Sequence, residues 1–305
     1  MNADAEFFGL EPTAEPGSFD VTVVNHLARI DGQLYGGSAI GMSVAAAEAL
    51  TERPALWMTT QYVSTVATGH RINLKTEVLA GGRRTNQIRV TGTSEAGDVV
   101  FASLGATGLH RPDGLTGEFE RMPKVTDPEA SERWASPISG LARSAGIPEL
   151  PEADRLKGFS GAVEFRGPEL LDHPDPGPGR SCMWIRRRDG ATVTPAVAVY
   201  LADMVPMSLA AALGVIARGM SLDNTIRFGS FVDTEWILLD LRPHLAVGGY
   251  GHGIAHVWSE DGHLLATASQ TASLAVFDLT EQESSPAEED AGADTSDGSK
   301  SDQFG

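Results

Sequence analysis

The chain has 305 residues, 41% of them hydrophobic and 21% charged, a balance typical of a folded globular protein large enough for two domains. Its formal charge of −18 argues against nucleic-acid binding, which needs basic surface to displace phosphate counterions. One cysteine, Cys182, excludes an intramolecular disulfide and makes a reducing, cytoplasmic setting the expectation.

Residues 1–19 read as an acidic lead-in with two prolines and no basic n-region, so neither a signal peptide nor a membrane contact is expected. An N-terminal domain is expected over 20–110. Within it, Gly36-Gly37-Ser38 opens an Ala-rich apolar run to about Leu50, the pattern of a helix buried on nearly all sides, and Arg53-Pro54 ends it. Strands are predicted at 55–63, 69–80, 85–95 and 99–109, separated by Gly81-Gly82 and Glu95-Ala96-Gly97-Asp98 turns. Residues 111–159 form a proline-broken linker with one short helix near 139–145. The C-terminal domain, 160–279, begins with strands at 161–166 and 181–188, around a turn-rich loop at Asp172–Gly179. A second apolar helix follows from Pro195 to about Ala217, then strands at 221–228, 234–242, 249–259 and 263–277. The last segment, 280–305, is acidic with almost no apolar content and reads as a solvated, disordered tail.

The two domains repeat one another. Met42-Ser43-Val44-Ala45-Ala46-Ala47 recurs as Met207-Ser208-Leu209-Ala210-Ala211-Ala212, an offset of 165 residues. The same offset carries Glu95-Ala96-Gly97-Asp98 onto Glu260-Asp261-Gly262-His263, Ile72 onto Ile237 and Leu74 onto Leu239. A period this long makes each copy a domain rather than a solenoid unit. Helix first, then antiparallel strands, twice over, is an α+β layer arrangement similar to a double hotdog, in which each sheet wraps a central helix. The copies differ at polar positions: Asp223, His244 and Gln270 stand opposite Met58, Leu79 and Gly105, and Asp203 opposite Ser38.

Several motifs make the likeness more specific. They are Tyr35-Gly36-Gly37; Met183-Trp184-Ile185-Arg186; Tyr200-Leu201-Ala202-Asp203-Met204; Ser221-Leu222-Asp223-Asn224 with Arg227-Phe228; Asp233-Thr234-Glu235-Trp236; and Asp261-Gly262 before Ser269-Gln270. In that order and spacing the chain resembles the acyl-CoA thioesterase II family. The resemblance implies a double-hotdog hydrolase of acyl-CoA thioesters, with acyl-CoA as its partner molecule and no metal or redox cofactor. It also implies a water-activating set of Asp, Ser or Thr, and Gln. Asp223 matches the Asp and Gln270 the Gln. His244 falls where the family carries its hydroxyl residue.

The chemistry of these side chains fits such a role. A carboxylate on an apolar strand can act as base, with its pKa raised by burial. An amide such as Gln270 both donates and accepts, which suits it to orienting water. An imidazole can serve as a general base, which makes His244 a candidate in place of the hydroxyl. Gly36 and Gly37, at a helix start, offer N–H groups and the positive end of a dipole to a thioester oxygen. Arg186, in the cluster Arg186-Arg187-Arg188, is a candidate partner for coenzyme A phosphate. Two other readings stay open. A chain with an altered hydroxyl position could hold acyl-CoA without hydrolysing it, or a hotdog chain could hydrate an enoyl-CoA. Paired double hotdogs make a homo-oligomer an expectation as well.

Overall fold

Buried apolar runs and alternating strands assemble into two copies of a helix cupped by an antiparallel sheet. The computed structural model describes residues 3–144, 151–171, 179–215 and 217–276. The acidic tail and most of the Asp172–Gly179 loop lie outside them. The first half comprises α1 (Ala3–Phe8), β1 (Glu11–Pro12), β2 (Ser18–Thr22), α2 (Gly36–Thr51), β3 (Ala55–Tyr62), β4 (Arg71–Gly81), β5 (Thr85–Ser94) and β6 (Val99–Gly108). The connecting stretch contributes β7 (Glu132–Trp134), α3 (Ser139–Ser144), α4 (Glu152–Arg155) and α5 (Phe159–Ala162). The second half holds β8 (Val163–Gly167), β9 (Ser181–Arg187), α6 (Pro195–Ala202), α7 (Val205–Leu213), β10 (Ala217–Phe228), β11 (Ile237–Val247), β12 (Tyr250–Ser259) and β13 (Leu264–Val276).

The strands form a single 13-stranded antiparallel sheet in the order β1-β2-β4-β5-β6-β3-β10-β13-β12-β11-β9-β8-β7. The offset seen in the sequence survives folding: β5 repeats as β12 residue for residue, and β3, β4 and β6 as β10, β11 and β13. The halves join where β3 pairs with β10. Met58 lies opposite Ile226 and Gln61 opposite Asp223, a pairing that maps onto itself under the 165-residue shift. The halves are therefore related by an approximate two-fold, near which the Thr59 and Thr225 hydroxyls meet at 2.6 Å.

Helix α2 is buried from Gly37 through Ala47. Its glycines permit close contacts, because a Cβ on Gly37 would stand 2.5 Å from the Tyr200 carbonyl oxygen of α6 and one on Gly41 2.6 Å from the Phe8 ring.

Three features depart from the sequence reading. The lead-in is not a loose segment: α1 packs Phe8 and Leu10 into the core, and Asp4 accepts from the Thr194 hydroxyl at 2.8 Å. The predicted second helix is two helices, broken at Asp203-Met204. By length and composition 195–213 could cross a membrane, yet 72% of it is buried within the fold. Finally, the linker does more than connect. It adds β7 to the sheet and covers the outer face of the second half, where Trp184, Trp236, Leu238 and Trp258 pack beneath Met122, Val125 and Leu170.

Candidate active site

The break between α6 and α7 is where the site begins. Pro206, in the first turn of α7, has no N–H to continue a helix arriving from α6, and Asp203 leaves the helical region at φ −75°, ψ 57°. Its backbone carbonyl, freed from the ladder, accepts from the Tyr35 hydroxyl at 3.1 Å. The carboxylate turns inward. Its Oδ1 accepts from Asn224 Nδ2 at 2.9 Å and from Gln270 Nε2, and the Gly37 N–H also donates to it. Gln270 Nε2 donates in addition to Ser221 Oγ, at 2.6 Å. Asp203, Ser221 and Gln270 are thus one hydrogen-bonded set, drawn from a helix break and two paired strands.

Gly36 completes the wall. A Cβ there would come within 2.6 Å of Asp203 Oδ2, so only glycine lets the start of α2 approach the carboxylate this closely. The Tyr62 hydroxyl donates to the Gly36 carbonyl at 3.1 Å. The set opens on a cavity of about 770 Å³, whose lining includes Tyr35, Gly36, Tyr62, Asp203 and Ser221. That volume suits a small-molecule ligand.

Burial raises the Asp203 carboxyl to about 6, against the pull of the Asn224, Gln270 and Gly37 donors, with Arg29 adding a favourable charge. A base titrating there is mostly ionised at neutral pH while still able to hold a proton. Burial and the Asp203 charge push the Tyr35 and Tyr62 phenols well above their ordinary range, so both remain donors. Gln270 Oε1 and Asn224 Oδ1 are buried acceptors with no partner inside the protein. Among the described residues no group of three or more His, Cys, Asp or Glu is arranged to hold a metal ion.

Of the residues singled out from the sequence, Gln270, Gly36 and Gly37 meet here, with Asp203, noted there as the polar counterpart of Ser38. The others stand elsewhere. Asp223 accepts from the Thr271 N–H at 2.9 Å, tied into its own sheet, and is not part of the cavity lining. The pairing of β10 with β13 shifts between Ser221 and Asp223. This bulge breaks the alternation, so Ser221 and Asn224 share the inner face where an unbroken strand would present Ser221 and Asp223. His244 sits exposed at a second bulge, between Pro243 and Leu245, with its ring 5.5 Å from that of His252. Arg186 is engaged by Glu164 at 3.0 Å and Glu235 at 3.3 Å and lies over the Trp236 ring, away from the cavity. The basic side chain that does line the cavity is Arg29.

The hydroxyl that meets Gln270 is thus that of Ser221, and the buried acid beside it is Asp203. A signal for Asp203 was present, since it is the one charged residue between Pro195 and Ala217. No pattern in the sequence announces the bulge that turns Ser221 and Asn224 inward.

Family comparisons agree with this architecture. Residues 26–108 match the acyl-CoA thioesterase N-terminal domain and residues 141–274 the acyl-CoA thioesterase C-terminal domain, together well over half of the chain. The chain belongs to the acyl-CoA thioesterase family. Among solved structures, a candidate thioesterase from Novosphingobium aromaticivorans superimposes with a TM-score of 0.74 at 28% identity, covering 86% of this chain and 97% of that one. A hot dog fold protein of unknown function from Alicyclobacillus acidocaldarius gives 0.73 at 19% identity, covering 90% and 99%. The acyl-CoA thioesterase II TesB2 from Mycobacterium marinum gives 0.66 at 17%, covering 91% and 99%. The last two likenesses are of fold, and they establish the double hotdog. No curated protein matches the chain.

Proposed function

We propose that the protein hydrolyses acyl-CoA thioesters to a free acid and coenzyme A through water that Asp203 activates. The observation that supports this most is the hydrogen-bonded set of Asp203, Ser221 and Gln270, in which Asp203 and Ser221 line the large cavity beside the start of α2 and Gln270 backs them.

In this reading the thioester carbonyl lies against the N-terminus of α2 at Gly36, where the helix dipole and a backbone N–H stabilise the oxyanion. Asp203 takes a proton from water as the water oxygen bonds to the carbonyl carbon. Ser221 and Gln270 fix the direction of attack. When the C–S bond breaks, the Asp203 carboxyl returns its proton to the departing thiolate, which closes the cycle without a covalent enzyme intermediate. A binding protein without chemistry is the weaker reading, because Ser221 places a hydroxyl in contact with Gln270. The cytoplasmic setting belongs to the same proposal, in keeping with a buried, unpaired Cys182.

The test is release of free thiol from short, medium and long acyl-CoA thioesters. Turnover should fall by about 10²–10⁴-fold in Asp203→Asn, the usual worth of a general base. Gln270→Ala should lose roughly a hundredfold, as for other groups that stabilise or position the reacting centre. Wild-type protein that binds acyl-CoA but releases no thiol would overturn the hydrolytic reading in favour of binding.

A further inference from the structure

Beyond the main cavity lies a second chamber of about 230 Å³, between the linker and the second half. Its walls include Trp134, Met183, Leu241 and the buried Cys182. Pro137, Ile138 and Met207 line both spaces and so form the partition between them. The main cavity is lined by polar residues that include Arg29, Gln33, Ser64 and Thr65 and by apolar ones that include Met204, Met207, Met220 and Leu222. Met207 belongs to both the apolar lining and the partition.

We propose that the second chamber receives the far end of the substrate's acyl chain, and that Met207 and Ile138 set the length it accepts. This rests on the reading of the substrate as an acyl thioester and deepens it. With the thioester carbon beside Asp203, the polar lining suits the amides of the pantetheine arm and the methionines suit the hydrocarbon. A chain longer than the main cavity can hold must reach the partition. Methionine is unbranched and adapts its rotamers at low cost, so Met207 can yield where a branched side chain would not. The chamber behind it is lined by apolar side chains, Ser181 and the uncharged Cys182 thiol, which burial and the neighbouring Asp240 push up to about 12. Nothing ionised is displaced when a methyl end enters.

The experiment measures binding of non-hydrolysable thioether analogues of acyl-CoA, graded in chain length, by calorimetry. Affinity should rise by about fourfold for each methylene buried, up to a length at which it stops rising. Met207→Ala should move that limit to longer chains and Met207→Trp to shorter ones, while Met207→Leu leaves it near the wild type. Ile138→Ala, on the linker side of the partition, should lengthen the limit independently, which keeps the test sound if a variant of α7 fails to fold. A limit that neither Ile138→Ala nor the folded Met207 variants move would overturn the assignment of the chamber. A limit that moves as expected, in a protein that releases no thiol from the parent thioesters, would sustain the chamber and sink the hydrolytic reading. Failure of every acyl analogue to bind would overturn both.

Discussion

The two halves began with one plan and differ in what each sheet face carries. The second half turns Asp203, Ser221, Asn224 and Gln270 toward the site, and the positions 165 residues earlier hold Ser38, Leu56, Thr59 and Gly105. The first half cannot simply regain the missing group. A Cβ on Gly105 would lie 2.7 Å from the Trp57 carbonyl oxygen and 2.8 Å from the Met58 sulfur, so packing occupies the space that Gln270 uses in the other copy. Its hydroxyls bond instead to each other, Ser43 to Ser103 at 2.9 Å and Thr60 to Ser103 at 2.7 Å. On the outer face the contrast reverses in kind. Strand β4 presents Arg71, Asn73 and Lys75, while Trp236, just before the equivalent β11, and Leu238 and Asp240 within it stand at the matching positions on the side the linker covers. One half is a single-faced sheet and the other is covered on both sides. The proposed site draws its strands from the covered half, where they are held by packing from two directions.

Asp203 gives the largest test of that contrast, because activity and stability should part. Its folded pKa, about 6, lies above the ordinary value of 3.8, so the native state binds the proton more tightly than the unfolded chain does. Stability contributed by that proton is present at low pH and is lost as pH rises through the window from about 4 to about 6. At neutral pH the buried charge is therefore a burden on the order of 2–3 kcal/mol. Asp203→Asn should abolish most turnover yet melt no lower than the wild type at pH 7, by calorimetry. Wild-type kcat/KM should climb with pH to a plateau above about 6. A variant that loses activity and stability together would show that Asp203 holds the fold and not the chemistry.

Asp240 should behave in the opposite way. It is fully buried and accepts from Arg180 at 2.8 and 3.0 Å and from Arg242 at 2.7 and 2.9 Å. Burial alone would raise its pKa, but the neighbouring His256 and the Arg180 and Arg242 donors outweigh it and hold the carboxyl far below the usual range. Its stabilisation is present above the unfolded pKa and is lost as pH falls toward the depressed folded value. Asp240→Asn leaves two arginines without their counter-charge and should cost about 3–5 kcal/mol in denaturant unfolding, with turnover per folded molecule kept. Lys75→Ala, at the matching position of the other half, should stay within about 0.5 kcal/mol. Equal costs at the two positions would erase the distinction between the outer faces.

The smallest effect is expected at Ser38, the counterpart of Asp203. Its hydroxyl is buried with no partner, so Ser38→Ala should leave turnover unchanged and stability equal or slightly higher. A loss of activity there would mean that the first half still takes part in the reaction.

Much of this was legible without coordinates. The 165-residue offset, read from the Met-Ser-x-Ala-Ala-Ala copies and the two acidic turns, places β3 to β6 against β10 to β13, because repeats in sequence demand repeats in strand period and turn chemistry. Gln270, Gly36 and Gly37 were found by where the copies disagree or where a helix begins. The burial of α1, the linker as an outer layer, the inward turn of Ser221 and the placement of Asp203 needed the tertiary structure. Each depends on contacts between residues distant in sequence or on a bulge, and neither leaves a periodic trace. The sequence by itself determined a two-copy α+β fold with a polar exception in the second copy. Only the folded chain decided which acid that exception uses, since one extra residue in a strand reverses which side chains face the core.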